Sequence, residues 1–128
     1  MSGVLVDTNI LIDYLRGLKP AASYLENSSD TLSISALSLA ELHAGARSQA
    51  EREAIRDFVM SFDVLAADAQ ICGIGGDFRA QYGPSHGVDL IDGLIAATSQ
   101  VHQLPLVTLN RRHFPMLDHV LVPYRPRH

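Results

Sequence analysis

Three carboxylates stand where a carboxylate needs a reason. Asp7 closes the apolar run Val4-Leu5-Val6 and is followed by Thr8-Asn9. Glu41 lies among Ala36, Leu37, Leu39, Ala40, Leu42 and Ala44, and Asp92 interrupts Leu90-Ile91 and Leu94-Ile95-Ala96-Ala97. An isolated buried charge is very costly, so each acid must face water, cap a helix or have a partner. Asp7 suits a helix N-cap as well as a functional role, because its oxygens can accept from free backbone N–H groups. Glu41 could sit on an outer helical face, but Leu37, Ser38, Leu42 and Gly45 do not make a charged surface around it. Asp92 has the least structural excuse, since Asp89 is already available as the cap of the same helix. Brought together, the three would form an all-oxygen site for a hard cation, Mg2+ or in its place Mn2+. That chemistry suits phosphodiester hydrolysis, in which a cation generates hydroxide and stabilises the attacking and leaving oxygens.

The elements that must position these acids alternate in type. Short runs rich in Val, Leu and Ile predict strands at 4–6, 31–35, 62–65, 106–108 and 120–122. Helical patterns predict helices at 8–16, 20–27, 37–46, 51–60, 67–82 and 89–102. The last is apolar nearly all round and should lie centrally. Strands separated by helices imply an α/β fold: an open parallel sheet of about five strands with helices on both faces. Ligands of such sheets bind outside the carboxyl ends of the strands, where Asp7 would stand.

Composition narrows the classes further. A chain of 128 residues, 47% hydrophobic and 19% charged, fits a single globular domain spanning residues 1–128. No apolar run approaches the roughly 18 residues needed to cross a bilayer, and the N-terminus lacks a basic region of signal-peptide type. The lone Cys72 excludes an internal disulfide and fits a reducing cytoplasm; it reads as a small core residue. A net charge of −4 argues against gripping nucleic acid by bulk positive potential. It does not exclude a nuclease, because a bound cation reverses the local sign. Arg111, Arg112, His113, Arg125, Arg127 and His128 crowd the C-terminal end, where Pro-Tyr-Arg-Pro-Arg-His reads as a solvated, frayed tail.

With these residues in place the chain resembles the PIN-domain nucleases, and among them the VapC toxins of bacterial toxin–antitoxin pairs. Four blocks carry the resemblance: Val4-Leu5-Val6-Asp7-Thr8-Asn9, Ser38-Leu39-Ala40-Glu41-Leu42 with Gly45, Asp92-Gly93-Leu94-Ile95-Ala96-Ala97, and Leu106-Val107-Thr108-Leu109-Asn110 with Phe114. Each is weak alone; together, in this order and spacing, they span nearly the whole chain. The resemblance implies a Mg2+-dependent endoribonuclease with Asp7 and Asp92 as principal metal ligands and Glu41 completing the set. It implies that Thr8 and Thr108 line the site and that Asn9 braces the loop after the first strand. The family often carries a fourth acid near the fourth strand, where this chain reads Asn110-Arg111-Arg112-His113, so a second metal is in doubt there. Asn110 could contact a metal-bound water or phosphate, and His113 could touch substrate phosphate. The resemblance also implies a homodimer and a VapB-like antitoxin whose C-terminal segment covers the active site, with an arginine among the carboxylates. Residues 8–27 are a candidate antitoxin surface that core packing explains equally well.

Other chemistries fit less well. A haloacid-dehalogenase-like phosphatase needs an acid where Asn9 stands, and a receiver domain needs a phospho-acceptor Asp after the third strand. Gly73-Ile74-Gly75-Gly76 lacks the third glycine of a dinucleotide loop and reads as close helix packing. Ser35 and Ser38 lack a His–Asp relay, and the six histidines show no metal-ligand spacing. A non-catalytic module that binds RNA or a partner is the remaining alternative.

Overall fold

The computed structural model describes residues 3–126. Its elements follow the expected alternation: β1 (Gly3–Val6), α1 (Thr8–Leu15), α2 (Lys19–Asn27), β2 (Thr31–Ser35), α3 (Ala36–Ala44), α4 (Gln49–Val59), β3 (Asp63–Leu65), α5 (Ala69–His86), α6 (Leu90–His102), β4 (Leu106–Val107) and β5 (Val120–Leu121). A single 3-10 turn, Arg111–His113, lies between β4 and β5. The strands form one parallel sheet in the order β3-β2-β1-β4-β5.

Alternation along β1 decides which helices cover which face. Val4 and Val6 point one way and pack with Ile10, Leu11, Leu25, Leu42 and Ile55 of α1 to α4. Leu5 points the other way, onto Ile95 and Ala96 of α6 and onto Phe114. Helices therefore cover both faces, and β1 is buried in the middle as its unbroken Val-Leu-Val run requires. In α6, residues Gly93–Ser99 are buried without interruption, the central placement its sequence predicts. Leu11 and Leu25 belong to the core, so much of the apolar character of residues 8–27 is spent on packing.

Two glycines set how closely α5 and α6 approach. A Cβ on Gly75 would lie 2.8 Å from the Leu94 Cα, and a Cβ on Gly93 would collide with the Gly75 carbonyl oxygen. The glycine run is helix packing, as its pattern suggests, but through Gly75 only: Gly73 and Gly76 face open space. α5 continues past 82 to His86 and stops at Gly87, which takes a left-handed conformation (φ 66°).

Two local expectations are corrected. Cys72 is exposed, not part of the core; it lies on the face of α5 turned away from α6, where Ile71 and Gly75 are the buried positions. The C-terminal segment does not fray at Tyr124: its ring packs on the core beneath α1, and its hydroxyl donates to Asp13 Oδ2 at 2.9 Å. Arg127 and His128 lie outside the described residues.

Candidate active site

The strand order reverses between β2-β1 and β1-β4, so the carboxyl ends of β1 and β4 open onto the crevice where open α/β sheets bind ligands. Asp7 and Thr108 are the first residues past those two ends. Register brings them together: Val6 pairs with Val107, the Asp7 amide donates to the Val107 carbonyl, and the Thr108 hydroxyl donates to Asp7 Oδ2 at 2.7 Å. Asp7 Oδ1 accepts from the Thr8 amide at 2.8 Å. Asp7 is therefore both the N-cap of α1 and a site residue; the two roles are compatible.

Glu41 reaches the same place from α3. Thr8 Oγ1 lies 2.7 Å from Glu41 Oε1 and 2.8 Å from Ser38 Oγ. A hydroxyl has one proton and a carboxylate only accepts, so Thr8 donates to Glu41 and accepts from Ser38. Thr8 and Ser38 are buried while Glu41 is exposed, which puts the carboxylate at the mouth of the site on a buried tether.

Asp92 opens the buried helix α6. The structure corrects the view that it has no capping role. Its amide donates to Asp89 Oδ1 at 2.8 Å, and its Oδ2 accepts from the Asp89 amide at 3.4 Å, the two halves of a capping box. The second bond is long, and Asp92 Oδ2 also lies 3.1 Å from His113 Nδ1. Among the described residues, Oδ1 of Asp92 has no hydrogen-bond partner.

Asp7, Thr8, Asn9, Glu41, Asp89, Asp92 and Asn110 all line one open cleft of about 210 Å³. Asn9 Nδ2 lies 3.4 Å from Thr108 Oγ1, and the Asn110 amide donates to the same Oγ1 at 3.1 Å. The Asn9 Oδ1 is buried without a hydrogen-bond partner. His113 does not line the cleft; it stands beside it, against Asp92 and Asn110. Two further residues enter the site's geometry: Asp89 lines the cleft and Ser38 is hydrogen-bonded to Thr8, neither a role that the sequence assigns to them. Asp89 was assigned to capping alone, and the spacing of Ser38 from Glu41, one helical turn, was the available signal.

The electrostatics follow from this crowding. Burial pushes the Asp7 carboxyl up from its ordinary value; the Thr108 and Thr8 hydrogen bonds oppose this, and the charges of Glu41 and Asp89 add to it. Asp92 is pushed up to about 6, first by burial and then by Asp89, against the pull of the Asp89 amide and His113. Among the described residues no Lys or Arg pairs with these acids. An unneutralised cleft of this kind repels a polyanion and attracts cations.

The donors are hard oxygens of the type that Mg2+ and Mn2+ select, and the partnerless Asn9 Oδ1 and Asp92 Oδ1 add acceptors without donors. In donor type and charge the residues fit a divalent cation. They are gathered at the scale of a cleft, not of one coordination sphere: among the described residues no three His, Cys, Asp or Glu side chains are close enough to share an ion. Each acid is hydrogen-bonded within the protein: Asp7 to Thr8 and Thr108, Glu41 to Thr8, and Asp92 to the Asp89 backbone.

The sheet order, the acids past β1 and at the start of α6, and the Glu on α3 define a class, and the chain belongs to it: the PIN domain family, whose model matches residues 4–119. Within that family the similarity is to VapC proteins. Ribonuclease VapC10 of Mycobacterium tuberculosis is 40% identical over 132 residues, covering 97% of this chain and 98% of that protein. Ribonuclease VapC19 of the same organism is 39% identical over 125 residues, covering 94% and 98%. Among solved structures, a toxin–antitoxin complex from Klebsiella pneumoniae superimposes with a TM-score of 0.83 at 29% identity, covering 97% of this chain and all of that one. No helix of the described residues is long and apolar enough to cross a membrane.

Proposed function

We propose that this protein is a VapC-type endoribonuclease toxin, dependent on Mg2+, with Asp7, Glu41 and Asp92 as its catalytic and metal-binding acids. The observation that carries the assignment is the meeting of these three carboxylates in one cleft at the switch point of the sheet. Asp7 and Asp92 would hold the ion and Glu41 would complete the acidic set. When bound, Mg2+ would supply charge stabilisation for a phosphodiester and lower the pKa of a water. The chain's own residues do the rest. Thr108 orients Asp7, Thr8 orients Glu41, and the Asp89 backbone fixes Asp92. Hydrolysis adds water across one P–O bond, leaving a phosphomonoester on one fragment and a hydroxyl on the other. Asn110, which lines the cleft, would meet a metal-bound water or a substrate phosphate.

The similarity to VapC ribonucleases and to a toxin–antitoxin complex supports a cognate VapB-like antitoxin as the partner that silences the cleft. An arginine of that partner would find four acids there and no competing Lys or Arg among the described residues. A homodimer is proposed on the family resemblance, and sedimentation of the purified chain tests it. We place the protein in the cytoplasm, where its RNA substrate is made. Incubating the protein with total cellular RNA and with single-stranded DNA, in Mg2+ and in EDTA, tests the function. RNA cleavage in Mg2+ that stops in EDTA is expected. Mg2+ binding without cleavage of any RNA favours the non-catalytic binding module.

A further inference from the structure

We propose that His113 is a positioning residue for Asp92, holding one carboxylate oxygen so that the other is presented to the cleft. The proposal rests on the metal-nuclease reading above and assigns a task to a residue outside the acidic set.

The argument begins with proton accounting. His113 Nδ1 lies 3.1 Å from Asp92 Oδ2 and 2.9 Å from Asn110 Nδ2. Nδ1 has one in-plane site, so it cannot accept from an Asn110 N–H and also donate to Asp92. The carboxylate can only accept, which assigns the proton to Nδ1. The Asn110 amide then turns its oxygen toward the ring; amide orientation follows from the hydrogen-bond network in any case. The contact works with a neutral imidazole and needs no change of charge.

Placement supports the same role. The loop that carries His113 is pinned at both ends of its first turn: the Asn110 amide donates to Thr108 Oγ1, and the His113 amide donates to the Asn110 carbonyl. Thr108 is the residue that holds Asp7. One short segment therefore contacts two acids that lie far apart in the chain, Asp7 through Thr108 and Asp92 through His113. The other ring nitrogen is turned to the α5 terminus, where a Cβ on Gly87 would lie 3.9 Å from Nε2. His113 thus stands beside the cleft, with one ring nitrogen on Asp92 and the other toward α5. Oδ2 of Asp92 receives His113 and the Asp89 amide, while Oδ1 is left without a partner among the described residues. Groups that orient a ligand in this way typically tune metal affinity about 10–100-fold.

Isosteres separate this role from simple space filling. The Asn amide nitrogen occupies the position of Nδ1, and the Gln amide nitrogen that of Nε2. Full-length wild-type protein, His113→Asn, His113→Gln and His113→Ala are titrated with Mn2+ by calorimetry, with thermal unfolding recorded for each. His113→Gln and His113→Ala should bind Mn2+ about tenfold more weakly or worse, and His113→Asn within a few-fold of wild type. Equal affinity in all the variants, or an Asn variant as weak as Ala, overturns the proposal. If Ala does not fold, the Asn and Gln variants decide, because both fill the site. A wild-type protein that binds no Mn2+ overturns the metal-site reading itself, and this proposal with it.

Discussion

Gly93 and Gly75 meet across the crossing of α5 and α6 so closely that the Gly75 carbonyl oxygen occupies the space a Gly93 side chain would need. Gly93 follows Asp92 directly, so this contact sets where α6 begins and where its first-turn carboxylate stands. The glycine beside the acid is a spacer for the site.

Gly93→Ala should therefore destabilise the fold by about 1–3 kcal/mol, the usual cost of overpacking against backbone that cannot retreat. Cleavage should fall as well, because α6 must move and Asp92 moves with it. Gly73→Ala is the control. Its Cβ meets nothing within 4 Å, and a helical glycine replaced without strain gains about 0.5–1 kcal/mol. Urea unfolding of the two variants should shift in opposite directions.

The acids should make the metal-free protein less stable as pH rises. The Asp92 carboxyl is pushed up to about 6 in the folded state from an ordinary value of 3.8, so between those values the native state binds more protons than the unfolded chain. Its contribution is fully present below about 4 and is lost as pH rises through about 6. Asp7 is raised in the same direction, with burial as the leading cause. In EDTA, Asp92→Asn should be more stable than wild type at pH 7.5 and lose that advantage toward pH 4. A difference in melting temperature that does not change with pH contradicts this.

Thr108→Val should raise the Asp7 carboxyl further, because the Thr108 hydroxyl is the strongest influence lowering it. Protons then compete better for the site, so cleavage in Mg2+ should fall more at pH 6 than at pH 8. Thr108→Ser, which keeps the donor, should restore the wild-type profile.

Much of this fold was legible in the chain. The length and Val content of Val4-Leu5-Val6 favour a buried strand, and the apolar run after Asp92 favours a central helix; both are found. Asp7 at a strand end followed from that. The relations among side chains were not legible, because they depend on register and helix rotation. The Thr108–Asp7 bond joins residues 101 positions apart, and the His113–Asp92 contact depends on a 3-10 turn with no apolar signature. The capping role of Asp92 was readable from the three-residue spacing to Asp89 but was set aside as already filled. Cys72 reads as core because a free cysteine behaves as a small hydrophobe; α5 has little amphipathic contrast, so only its packing on α6 shows which face is buried.

Thr8→Val should release Glu41 and leave Ser38 without its acceptor. An unsatisfied buried hydroxyl costs about 1–3 kcal/mol, visible in urea unfolding. Thr8→Val and Glu41→Gln should each reduce cleavage, and the double variant should be no worse than Glu41→Gln alone, since Thr8 acts through that carboxylate. Additive losses would show that Thr8 acts separately.

The central claim is that Asp7 and Asp92, with Glu41, make a metal-dependent nuclease centre. The direct measurement is the rate of cleavage of end-labelled RNA in Mg2+ by wild type, Asp7→Asn, Asp92→Asn and Glu41→Gln, each shown to be folded. Loss of a catalytic metal ligand should lower the rate by about 100-fold or more for Asp7→Asn and Asp92→Asn. EDTA should abolish wild-type cleavage. Cleavage that survives chelation, or that survives both Asp substitutions, contradicts the account.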